Sequence, residues 1–209
     1  MQPTLEDLNK ILPNLNSRLK QEICDFSILK GLPKNTEILR EGQYIKAIPL
    51  VISGLIKVYT RYEDRELLLY YIRPKESCTM SFAASINDEP SKVFAETEEN
   101  TKVLLLPISK IPQWVNQFPD MNNLFFKQYG LRYAELLDTI HHILFNKLDV
   151  RLYKYLKEKV LLTKKNPLVL SHRQIANELG TAREVISRIM KKLELEGKVK
   201  QHSNSVEVI

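Results

Sequence analysis

Four side chains within GTAREVISRIMKKLELEG, residues 180–197, have the types and spacing to hydrogen-bond an ordered polar surface: Arg183, Glu184, Ser187 and Arg188. At about 100° per residue they share one arc of a helix with Lys191, while Ala182, Val185, Ile186, Ile189 and Leu193 take the opposite arc. One face suits a core and the other a polar, anionic partner. An arginine fork matches guanine O6 and N7, and a glutamate accepts from the cytosine amino group, so Arg183, Glu184, Ser187 and Arg188 are candidate base-reading residues. Ser171, His172, Arg173, Thr181, Lys191 and Lys192 are groups of the kind that meet phosphate oxygens. No catalytic spacing competes with this chemistry: there is no H-E-x-x-H, no G-x-S-x-G, no Walker loop and no G-x-G-x-x-G. Cys24 and Cys78 stand far apart, fit neither a disulfide framework nor a zinc site, and read as buried free thiols. The expectation is a binding protein that is not an enzyme, with no metal and no cofactor.

The surrounding residues would position that face. Ser171 with Gln174, and Thr181 with Glu184, each match S/T-x-x-E/Q, the capping box that opens a helix. Gly180 lies between the two boxes and supplies a tight turn. The pattern is helix, glycine turn, helix, in which the second helix presents its N-terminal residues to the major groove of double-stranded DNA. VRLYKYLKEKVLL supplies a preceding helix, and KVKQHSNSVEV alternates around a polar HSNS turn like a two-stranded wing.

Charge follows the same division. From Lys147 to the end, 14 Lys and Arg stand against 7 Asp and Glu, a net of +7, whereas residues 1–146 carry a net of −1. A basic segment alone is compatible with a solvated face, and equally with a scaffold that uses a basic tail. Such a scaffold would not need a polar face that begins after a tight turn. No run approaches the roughly 20 apolar residues of a membrane helix, and MQPTLEDLNK lacks the features of a secretory signal, so a cytoplasmic protein with no membrane partner is expected.

Upstream, TLEDLNKILPNLNSRLKQEICDF carries helical spacing around Pro13. Residues from EILREGQ to KVLLLP are short runs rich in Ile, Val, Leu and Tyr broken by turn residues, which predicts a β-sandwich or roll. Phe126, Gly130, Tyr133, Leu137, Ile140 and Leu144 then recur at steps of four and three, with Tyr129, Leu136 and Ile143 beside them. That is more apolar surface than one small sheet covers. It suits either an ordinary core helix or a helix that pairs with its own copy, with Phe126, Tyr133, Leu137, Ile140 and Leu144 at the dimer seam.

QIANELGTAREVISRIMKKLELEG resembles the helix-turn-helix of the Crp/Fnr superfamily of bacterial transcription regulators, and ILREGQ and VISGLIKVY resemble the turn and strand of that family's cyclic-nucleotide-binding-like roll. The resemblance implies an α+β fold: a β-roll (jelly roll) with flanking helices at 1–118, a dimerisation helix at 119–146, and a winged helix-turn-helix at 147–209. It also implies a homodimer on an inverted-repeat DNA site, with RNA polymerase as a further partner. Members that bind cyclic AMP carry Gly-Glu and then Arg-Ser or Arg-Thr in the roll. This chain reads SCTMSFAA and DEPSKVFAE at those places. Met80, Ser81, Ser91 and Lys92 are therefore the candidate effector-pocket residues, and a lysine does not reproduce the fork of an arginine on phosphate. The effector is expected not to be cyclic AMP, the alternative being a cyclic nucleotide held by a divergent pocket. Two cysteines cannot supply the four thiolates of an iron–sulfur cluster, and His141, His142, His172 and His202 read as ordinary histidines rather than haem ligands.

Overall fold

The structure is a computed structural model that describes residues 1–62, 65–145 and 147–209, with the backbone alone for Arg65, Ser85 and residues 141–145. Two compact units make up the chain, one of Met1–Thr60 with Leu69–Glu135 and the other of Arg61–Leu68 with Leu136–Ile209. The architecture is α+β.

The first unit opens with two helices, α1 (Leu5–Ile11) and α2 (Ser17–Phe26), where the periodicity around Pro13 had suggested a single helical stretch. Each half has its own start. Thr4 and Asp7 form a capping box on α1, and the Asn16 side chain accepts from the Arg18 N–H to cap α2. Among the described residues seven strands follow, of which β4 and β5 run into the second unit: β1 (Ile28–Leu32), β2 (Glu37–Leu39), β3 (Ala47–Ser53), β4 (Ile56–Tyr62), β5 (Arg65–Ile72), β6 (Phe94–Thr97) and β7 (Thr101–Pro107). They form two sheets, ordered β1-β7-β3 and β2-β6-β4-β5. Strands β3 and β7 read as nearly continuous apolar runs because both of their faces are covered. Ile48, Leu50, Leu104 and Leu106 join Leu8, Leu19, Ile23 and Trp114 in a core with the helices, while Val51 and Val103 join Ile56, Val58 and Ile72 between the sheets. Gly54 links β3 to β4 at φ +94°, and a Cβ there would lie 2.4 Å from the Thr101 hydroxyl oxygen, so the turn has room for glycine alone.

Helices α3 (Thr79–Asn87), α4 (Ile111–Gln117) and the long α5 (Pro119–Phe145) follow in this part of the chain. Met121, Phe125, Gln128 and Arg132 of α5 are buried at steps of four, three and four. Arg132, only 2% exposed, donates to the Tyr71 carbonyl at 2.8 Å, forms ion pairs with Glu76 and Glu135, and stacks over the Tyr70 ring. Cys24 and Cys78 are buried free thiols.

The second unit contains α6 (Leu148–Thr163), α7 (His172–Glu178), α8 (Arg183–Leu195) and the hairpin of β8 (Val199–Gln201) and β9 (Val206–Val208). Leu152, Leu156, Ile175, Ile186, Met190 and Val206 are among its core residues. A buried Lys159–Glu178 ion pair, 3.0 Å apart, and the Tyr155 hydroxyl, which donates to Glu178 at 2.8 Å, brace α6 against α7. No helix among the described residues is long and apolar enough to cross a membrane.

Candidate nucleic-acid interface

The helix-turn-helix is built from its caps outward. Ser171 caps α7: its hydroxyl accepts from the Gln174 N–H at 3.2 Å, and Gln174 Oε1 accepts from the Ser171 N–H at 2.9 Å. Gly180, at φ +65°, then turns the chain in the left-handed region. The second expected box does not form. Ala182, with φ −85° and ψ 147°, takes the N-cap position of α8 without a side-chain hydrogen bond, so the helix starts one residue later than Thr181 and Glu184 would set it. Thr181 instead donates its backbone N–H to the Ala176 carbonyl at 2.9 Å, closing the turn.

Helix α8 buries Ile186, Met190 and Leu193 and leaves Arg183, Glu184, Arg188, Lys191 and Lys192 exposed. Among the described residues, Arg173, Arg183, Arg188 and Lys191 have no acidic partner within ion-pair distance, and their charges face solvent. Lys192 differs, because it pairs with Asp149 of α6 and lies 3.7 Å from Glu196. The hydrogen bond from Lys192 holds the Asp149 carboxyl below the usual carboxylate range, and the same contact holds the ammonium above its ordinary value.

Ser187 and His172, expected to face outward to DNA, are half-buried and bonded to each other: His172 Nδ1 lies 2.9 Å from the Ser187 hydroxyl. His172 Nε2 lies 3.0 Å from Gln201 Oε1 on the wing. Gln201 and Glu194 complete this contact set, and neither stands out in the sequence because each reads as an ordinary solvated residue. Beside them an open groove of about 660 Å3 is lined by Ser171, His172, Arg173 and Arg183 on the helices and by Gln201 to Ser205 on the wing. Two guanidiniums, hydroxyls and side-chain amides converge on it. Such groups can hydrogen-bond anionic oxygens.

The remaining expected residues lie elsewhere. Met80 packs on the core between the sheets and Ser81 is buried. The Ser91 hydroxyl is taken up locally, donating to the Val93 carbonyl at 2.9 Å and accepting from its N–H at 3.2 Å. Lys92 points to solvent and pairs with Glu89 at 3.3 Å. On α5, Phe126, Tyr133, Leu137 and Ile140 are 73%, 66%, 48% and 53% exposed, large apolar groups open to solvent. The Leu144 side chain lies outside the described residues. No group of three or more His, Cys, Asp or Glu side chains among the described residues could hold a metal ion.

Residues 150–209 match the Crp-like helix-turn-helix domain family. The whole chain is similar to a protein from Eubacterium rectale assigned to the Crp/Fnr family of transcriptional regulators, with 26% identity and a TM-score of 0.85 over 95% of this chain and 92% of the other. The fold is shared with the c-di-GMP-responsive global regulator CLP of Xanthomonas campestris, at 19% identity and TM-score 0.79 over 91% and 97% of the two chains. It is shared too with a Crp/Fnr-family regulator from Thermus thermophilus, at 19% identity and TM-score 0.75 over 87% and 93%. Comparison with curated protein sequences gives no match. With a Crp-like helix-turn-helix after an antiparallel roll and a long helix, the chain is similar in sequence and fold to transcriptional regulators of the Crp/Fnr family.

Proposed function

We propose that the chain is a homodimeric, sequence-specific DNA-binding regulator that acts in the bacterial cytoplasm on an inverted-repeat site and there engages RNA polymerase. The observation that carries this is the first half of α8, where Arg183, Glu184 and Arg188 are exposed beside a cationic groove and none is held by an ion pair among the described residues. Free guanidiniums at a helix start, braced by a second helix and a wing, suit base edges, whereas Arg173 and Lys191 suit phosphates. Two copies related by a two-fold axis would place their recognition helices about one DNA turn, roughly 34 Å, apart.

Fluorescence anisotropy on an operator selected from random duplexes tests this. Arg183→Ala or Arg188→Ala should each cost about 1–3 kcal/mol on the operator and relax base choice at one position, while Lys191→Ala should weaken all duplexes alike and lower the salt slope. Equal behaviour of all three variants would remove the recognition-helix assignment.

The roll is proposed to respond to an effector other than cyclic AMP. A buried cyclic phosphate needs a fixed cation, and Lys92, the only cation in PSKVF, faces solvent. Losing two charge-assisted contacts weakens binding by about 3–5 kcal/mol, so calorimetric titration with cyclic AMP should give no micromolar binding; a micromolar Kd coupled to tighter DNA binding would overturn this.

A further inference from the structure

A carboxylate only accepts hydrogen bonds, so Glu194 on α8 fixes the orientation of any amide held against it. Its Oε1 accepts the Gln201 backbone N–H at 2.7 Å, and its Oε2 accepts the Gln201 side-chain N–H at 2.8 Å. With its amide nitrogen committed there, Gln201 turns Oε1 toward His172, 3.0 Å from Nε2. An amide oxygen cannot donate, which places the proton of the neutral imidazole on Nε2. Nδ1 then faces the Ser187 hydroxyl at 2.9 Å, whose one proton is shared with the Arg183 carbonyl 3.0 Å away. Four side chains are thereby joined in one directed chain, from the second half of α8 out to the wing, back through the first residue of α7, and into the turn of α8 that carries Arg183 and Arg188.

We infer that His172 is a positioning residue for base readout, holding the first turns of α8 at a fixed rotation against α7 and the wing, with Ser187 as its anchor. This rests on the proposed role of α8 as the base-reading helix. Paired hydrogen bonds to a base tolerate displacements of only about 0.5 Å and rotations of about 10–20°, so a helix held by apolar contacts alone would read bases loosely. The relay supplies directional contacts on the side of α8 next to its reading face. The wing becomes part of the reading apparatus through its strand, independently of any contact of its turn with DNA.

The full-length protein tests this with the selected operator and a scrambled duplex. His172→Ala should lower the operator-to-scrambled affinity ratio by about tenfold, and Gln201→Leu should do the same. His172→Gln, which keeps one donor and one acceptor, should recover most of the ratio. Nitrogen NMR of the DNA-free wild type at alkaline pH should show the Nε2–H tautomer of His172. Equal loss on both duplexes would make His172 a phosphate contact and overturn the inference, as would an Nδ1–H tautomer. If Arg183→Ala and Arg188→Ala relax base choice while His172→Ala and Gln201→Leu keep it, the relay alone fails. If the two arginine variants also keep it, the assignment of α8 fails and takes the relay with it.

Discussion

Lys159 and Glu178 show what a buried charge requires of its neighbours. Glu178 accepts from the Lys159 ammonium through both oxygens, at 3.1 and 3.0 Å, and from Tyr155 at 2.8 Å, so its desolvation is offset by three donor contacts. Lys159→Met would take the ammonium from the buried carboxylate, and removing one partner of a buried pair costs about 3–5 kcal/mol. The expected result is a large drop in the thermal midpoint of the helix-turn-helix unit by circular dichroism, with most of it restored in Lys159→Met/Glu178→Leu. A midpoint unchanged in the single variant would show that the pair contributes nothing net. At this scale the sequence discloses types but not partners. Arg183, Glu184 and Arg188 are legible as an exposed face because helical geometry alone places them. The His172–Ser187 and Asp149–Lys192 contacts are not, because 15 and 43 residues separate the partners and only the packing of different elements brings them together.

At the scale of elements, caps and turns were legible wherever a local signal had no competitor. Ser171 and Gln174 close their box, but Thr181 and Glu184 do not, since Ala182 adopts the extended conformation of an N-cap and shifts the register of α8 by one. Helix α5 shows the opposite limit. Its inward stripe runs through Gln128 and Arg132, and two polar members hid it from a hydrophobic pattern that found the outward stripe instead. The last turns of α8 have their own electrostatic signature. Asp149, Glu194 and Glu196 are all held below the usual carboxylate range, chiefly by Lys192, by the Gln201 backbone N–H and by Lys198 respectively. A carboxylate depressed on folding stabilises above its unfolded pKa and loses that contribution as pH falls through its folded one. The α6–α8–wing assembly should therefore hold at neutral pH and weaken below the ordinary carboxylate range, as acid titration by circular dichroism would record. Asp149→Asn should shift that transition and reduce its steepness; an unaltered acid limb would remove the pair from the account.

For the whole molecule, the order of parts was legible because each has its own period: helical, then short apolar runs, then helical again. Their number of sheets and the covering of both faces of β3 and β7 were not, since alternation disappears when neither face meets water. The proposed dimer follows from the outward stripe of α5, where burying large apolar groups contributes about 1.5–3 kcal/mol each. Leu137→Glu/Ile140→Glu should give a monomer in solution scattering, and an unchanged mass would remove that seam. The anchoring of α5 through Arg132 bears on what such a monomer would be. Its inward contacts go to Glu76, Glu135 and the Tyr71 carbonyl, and Met121 and Phe125 sit in one core with Leu8, Leu19 and Trp114. The variant should lose its partner while keeping its roll intact, and its melting temperature should be independent of protein concentration, whereas that of the proposed dimer should rise with it.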